Sequence, residues 1–233
     1  CMLIAGNSTF DRFGCVDSDG DGYSDGDAQW NMSNGSDAFP LESTQNADQD
    51  NDGFGDNPSG YEADDCPTTQ GSSFRDSFGC ADEDNDGMSD VNDDFLGEST
   101  QWTDTDSDGF GDDVNGTQGD FCPLEPGTST NDVFGCVDSD SDGYSDINDV
   151  WPNDASQWYD DDMDGFGDEN SGTAPDQCPD EYGTASLGTL QGCPDTDGDG
   201  YADSEDAFPL HDSQFEDSDG DGWGDNETSG AHK

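Results

Sequence analysis

The stretch Cys136-Val137-Asp138-Ser139-Asp140-Ser141-Asp142-Gly143-Tyr144-Ser145-Asp146 decides how the rest of the chain is read. It places Asp at loop positions one, three, five and nine and Gly at six. The same frame returns 22 residues later as Asp160-Asp161-Asp162-Met163-Asp164-Gly165-Phe166-Gly167-Asp168. Asp tolerates tight turns and brings its oxygens close to the backbone. Alternating Asp therefore points three carboxylates to one side of a bend, and Gly at six permits the bend itself.

The frame occurs eight times in two forms. First-type loops carry Asp17, Asp19, Asp21 and Asp25; Asp82, Asp84, Asp86 and Asp90; Asp138, Asp140, Asp142 and Asp146; Asp195, Asp197, Asp199 and Asp203. Second-type loops carry Asp48, Asp50, Asp52 and Asp56; Asp104, Asp106, Asp108 and Asp112; Asp160, Asp162, Asp164 and Asp168; Asp217, Asp219, Asp221 and Asp225. Such an oxygen set suits a hard divalent cation, and calcium takes about six to eight oxygens in forgiving geometry. Position seven (Tyr23, Phe54, Met88, Phe110, Tyr144, Phe166, Tyr201, Trp223) lends a backbone carbonyl to the ion, while its side chain is expected to pack sideways. At position twelve the first-type loops offer Asp93, Asp149 and Asp206, and the first of them must use Asp27 or Asp37. Second-type loops have Ser59, Asn115, Ser171 and Thr228 there, so Asp64, Asp120 and Asp176 are the expected donors.

Cysteines mark the period. Cys1, Cys66, Cys122 and Cys178 open repeats 1–65, 66–121, 122–177 and 178–233, the first with an insertion at about 26–36. Each opening cysteine leads through a Gly/Ser/Thr connector to a second one, at Cys15, Cys80, Cys136 or Cys193. Closing each connector on itself is the simplest pairing, worth roughly 3 kcal/mol per loop. A ladder between repeats is the other. Between the two loops of each repeat runs a bridge with an aromatic, often beside Pro, and a Gln six positions later: Gln45, Gln101, Gln157, Gln214.

Bulk composition bounds the class. Leu, Ile, Val and Phe make only about 12 per cent of 233 residues, and the net charge is −57, values at which a chain does not ordinarily build an apolar core. Asp outnumbers Glu 50 to 10. Salt-adapted acidity alone gives no reason for that preference or for fixed spacing. The charge excludes nucleic acid as a partner, no apolar run is long enough to span a bilayer, and the Cys1–Gly6 start is too short for a signal peptide. The cysteine spacing does not suit zinc, with only His211 and His232 to assist. No nucleophile–base pair or phosphate loop is present, so an enzyme is not expected. Gly, Pro, Asn and Ser punctuate every few residues, predicting an irregular fold with little regular secondary structure and short extended pieces at the bridges. The architecture expected is an elongated tandem-repeat array of calcium-cored loops with disulfide clips, each repeat touching mainly its neighbours.

This pattern resembles the thrombospondin type 3 repeat, a run of Asp-x-Asp-x-Asp-Gly-x-x-Asp loops in two forms punctuated by Asp-x-Cys-Pro, here Asp64-Asp-Cys66-Pro67, Asp120-Phe-Cys122-Pro123 and Asp176-Gln-Cys178-Pro179. The likeness covers essentially the whole chain and is closest to long prokaryotic versions. It implies a backbone wrapped on calcium with one or two ions per loop, or about 8 to 16 ions, in extracellular or cell-surface proteins serving as stalk, spacer, adhesive module or head-to-tail filament. A high-capacity calcium buffer or mineral nucleator is the alternative. Self-association or continuation in a longer parent chain is expected, and Asn7, Asn31, Asn34, Asn115 and Asn226 are candidate glycan acceptors.

Overall fold

The computed structural model describes Cys1 and residues 5–225; Asn226, Thr228, His232 and Lys233 lie outside them. The fold is irregular. Among the described residues, regular structure amounts to one turn of 3-10 helix, Met32–Asn34, and isolated β-bridges such as Gly55 with Ala63 and Gly167 with Pro175. No helix among them is long and apolar enough to cross a membrane.

The chain divides into two compact bodies, one formed by Cys1–Thr105 with Gly111–Gly119 and the other by Asp106–Phe110 with Asp120–Lys233. In the first, disulfides join Cys1 to Cys15 and Cys66 to Cys80. In the second they join Cys122 to Cys136 and Cys178 to Cys193. Each bond closes a connector on itself, at Cα separations of 5.1–5.2 Å, and the ladder pairing is not formed. Four disulfides imply an oxidising environment.

The interior is mostly polar. Among the described residues, the buried apolar groups are four cysteines, Ala185 and Ala202, while Gln45, Gln101, Gln157, Asp120, Asp176, Ser73 and Ser129 are buried almost completely. Each such Gln stands in for a core. The Gln157 amide donates to the carbonyls of Glu169 and Thr173 at 3.0 and 3.2 Å and accepts from the Glu169 N–H at 2.9 Å; Gln45 and Gln101 make the equivalent bonds. A Cβ at Gly55 or Gly167 would overlap the Gln amide lying against it, so the second-type loop can settle on its Gln only with glycine there.

The bridges differ from expectation: they turn rather than extend. Asp154 N–H donates to Trp151 O and Gln157 N–H to Asp154 O, both at 2.9 Å, and the same pair of turns forms from Phe39, Phe95 and Phe208. Pro40, Pro152 and Pro209 after the aromatic preset φ for the first turn, which forms at Phe95 with Leu96 in that place. Just before it, an Asp carboxylate accepts the aromatic residue's own N–H, as Asp149 does from Trp151 at 2.7 Å.

Candidate metal centres

Each loop is held by its own carboxylates. In the loop at Asp138, the first carboxylate accepts from the N–H groups of positions four and six, Ser141 at 2.7 Å and Gly143 at 2.9 Å. Position three accepts from position five and position five from position seven. The N–H of position nine closes the ring on the carbonyl before position one, Asp146 to Val137 at 2.8 Å. Asp25, Asp56, Asp90, Asp112, Asp168, Asp203 and Asp225 repeat that closure.

These bonds require left-handed backbone at two positions. Glycine at six has φ between 82° and 103° in all eight loops. Position four is left-handed as well, whether Gly20, Asn51, Asn85, Ser107, Ser141, Met163, Gly198 or Gly220. Gly or Asn at position four in five of the eight loops signals this in the sequence, beside the glycine at six.

With positions one, three and five so tied, their remaining oxygens converge. One oxygen from each of Asp17, Asp19 and Asp21 lies within 4.8 Å of the others, and so do those of Asp48, Asp50 and Asp52, of Asp82, Asp84 and Asp86, and of Asp138, Asp140 and Asp142. In six of the loops a fourth carboxylate closes the site from beyond the loop. Asp37 is buried and feels the charges of Asp21 and Asp19. Asp93 feels Asp86 and Asp84, Asp149 feels Asp142 and Asp140, and Asp199 feels Asp206. Asp64 is set against Asp52 and Asp50, and Asp176 against Asp164 and Asp162. One oxygen of each closing Asp is fixed by the N–H two residues on, as Asp64 is by Cys66 at 2.6 Å. Asp37 thus lies beside the loop's carboxylates, whereas the Asp27 carboxylate pairs with the Arg12 guanidinium at 2.8 Å.

Second oxygens of Asp19, Asp21, Asp37, Asp64, Asp84, Asp86, Asp140, Asp142, Asp162, Asp176, Asp197 and Asp199 are buried without a hydrogen-bond partner. Buried oxygens in that state are costly, and a cation shared among them removes the cost. The donor set, converging carboxylate oxygens, fits a hard divalent ion of calcium's class.

Acidity sorts the carboxylates into two classes. Burial first, and like charges second, push Asp37, Asp64 and Asp176 up to about 6, and raise Asp21, Asp50, Asp93, Asp142, Asp149, Asp162 and Asp199. The other class is lowered. At Asp76 and Asp132 burial works upward, but hydrogen bonds from Ser89 and Asn92, or from Ser145 and Asn148, outweigh it. Position nine joins this class at Asp112, Asp203 and Asp225. Asp203, for example, takes the hydroxyl and the N–H of Thr196 at position two, at 2.6 and 2.8 Å, so it braces the rim. Asp168 is the exception: burial and Asp161 beside it raise its pKa, and one of its oxygens is buried and unpaired.

Latches between connector and first-type loop were missed in the sequence. Asp11, Asp76 and Asp132 each accept both the N–H and the hydroxyl of position eight, Ser24, Ser89 or Ser145. Position eleven also reaches the connector, as Asp27 to Arg12, Asn92 to Asp76 and Asn148 to Asp132. In the last repeat the polarity inverts: position eight is Ala202, and Thr189 donates its N–H and hydroxyl to Glu205 at position eleven. Aligning the repeats on their second cysteine exposes this exchange, because Asp, Ser and Asn give way together to Thr, Ala and Glu.

Position-seven rings pack sideways where ring pairs form: Tyr23 on Phe10, Phe54 on Phe78, Phe110 on Phe134, Tyr144 on Trp158, Tyr201 on Phe215. His211 is exposed, as are Asn7, Asn31, Asn34 and Asn115. Models of known protein families give no match to this chain, and no curated protein matches it.

Proposed function

We propose that the chain is a calcium-binding structural module in which the ions replace a hydrophobic core, working outside the cytosol as a stiff stalk, spacer, adhesive segment or filament element. One observation carries this reading: loop after loop, three converging carboxylates meet a fourth from beyond the loop, and oxygens facing inward lack any protein partner. The disulfide clips, the apolar-poor interior and the resemblance of the loops to thrombospondin type 3 repeats support the same reading. A simple buffer needs neither clips nor buried closing aspartates, which favours a defined scaffold over ion storage.

The test is calorimetric titration of calcium into stripped protein, with circular dichroism followed in parallel. Uptake of about 8 to 16 ions, with ordering that tracks loading, is the expected result. A melting temperature unchanged by excess EGTA at neutral pH would overturn the proposal.

A further inference from the structure

The connector closed by Cys66 and Cys80 touches two candidate cation sites at once. Toward the loop before it, Gly71 N–H donates to the second oxygen of Asp52 at 3.1 Å, and the Gln70 amide caps the carbonyls of Asp50 and Asn51 at 2.6 and 3.1 Å. Phe78 packs on Phe54, and Gly79 lies so close to the Asp64 carboxylate that a Cβ would overlap it. Toward the loop after it, the Phe74 and Arg75 N–H groups donate to Gly87 O at 2.8 and 2.9 Å, and Asp76 grips Ser89 at 2.9 and 2.6 Å. Between these two faces the connector is cross-braced by its disulfide and by Ser73, which is fully buried and ties Ser77 O to Cys80 N–H. The same frame recurs at 178–193, where Gly183 holds Asp164 and Thr189 holds Glu205. Within the first repeat, by comparison, the two loops are linked through a bridge closed by a backbone bond of 3.1 Å, Ala38 to Asn46.

We propose that cation binding is coupled across the cysteine clip at 66–80, and across its counterpart at 178–193, between the second-type loop before the connector and the first-type loop after it, with Gln70, Gly71 and Asp76 as positioning residues in the former. The cooperative pair thus straddles the sequence repeat: loop 48–56 loads with loop 82–90 rather than with loop 17–25. Coupling is reciprocal, so a change at either face is felt at the other. The proposal rests on the calcium reading above.

Calcium titration of the full chain, followed by peptide-resolved amide hydrogen exchange, gives a separate midpoint for each loop. Coinciding midpoints at 48–56 and 82–90 are expected in the parent protein. Gln70→Ala removes an exposed side chain that bonds only the earlier loop. It should raise both midpoints, by about fivefold, and leave loop 17–25 within about twofold. Asp76→Asn, altering only the later loop's latch, should likewise move loop 48–56. A shift confined to the loop that each substitution touches, no shift from either substitution, or a shift at 17–25 as large as at 82–90 would each overturn the coupling. Calcium that protects no loop at any concentration would overturn the calcium reading itself.

Discussion

Met163 shows how much the loop backbone demands of a single residue. It occupies the left-handed position four with φ 64° and its side chain is mostly exposed, so it brings strain without packing. Left-handed backbone costs a non-glycine residue about 1 kcal/mol, and Met163→Gly should stabilise the calcium-loaded protein by about that amount in urea denaturation. Titration is a second residue-scale consequence. For Asp37, Asp64 and Asp176 the folded pKa of about 6 lies above the ordinary 3.8, so the metal-free fold binds more protons than the unfolded chain. Their contribution to the apo fold is therefore fully present below about 3.8 and is lost as pH rises through about 6. Calcium-free protein should melt higher at pH 5 than at pH 7.5, whereas calcium-loaded protein should lose affinity over the same acid interval as protons compete for these oxygens. Melting temperatures on dialysed and calcium-saturated samples check both directions.

Elements here are loops, connectors and turns rather than helices and strands, and their legibility in the sequence was uneven. Loop frames, closing aspartates such as Asp64 and Asp176, and the clip pairing were readable because each sits at a fixed offset from Asp or Cys. The latches were not, because Asp76 and Ser89 are common surface residues whose pairing appears only when the connector folds back over the loop. Gln157 was visible as a recurrent residue without a role; burial and three backbone bonds supply it. Gln157→Leu should cost about 2–4 kcal/mol, since it leaves backbone groups of Glu169 and Thr173 unpaired in the interior. The inverted latch of the last repeat gives a sharper test. Thr189→Asp alone sets a carboxylate against Glu205 and should destabilise the fold, and adding Ala202→Ser with Glu205→Asn should recover most of the loss. A denaturation cycle over the single and combined variants measures the coupling.

Across the molecule, charge works against cohesion and the covalent bonds supply it only locally. The net charge of −57 opposes compaction, and the disulfides act only within connectors, so neither joins one loop to the next. Removing calcium at pH 7.5 should therefore abolish most long-range order while the clips stay intact, seen as a rise in hydrodynamic radius without release of free thiols. The clips have a further consequence for proteolysis. The internal basic residues, Arg12 and Arg75, each lie inside a clipped connector and rest on an indole ring, Trp30 at 5.0 Å and Trp102 at 4.2 Å. A trypsin-like protease that reaches them nicks the polypeptide without parting it, because Cys1–Cys15 and Cys66–Cys80 span the cuts. Digested protein should run as one band unreduced and break into 1–12, 13–75 and 76–233 only after reduction, which would let a gel report how far each arginine has come off its ring.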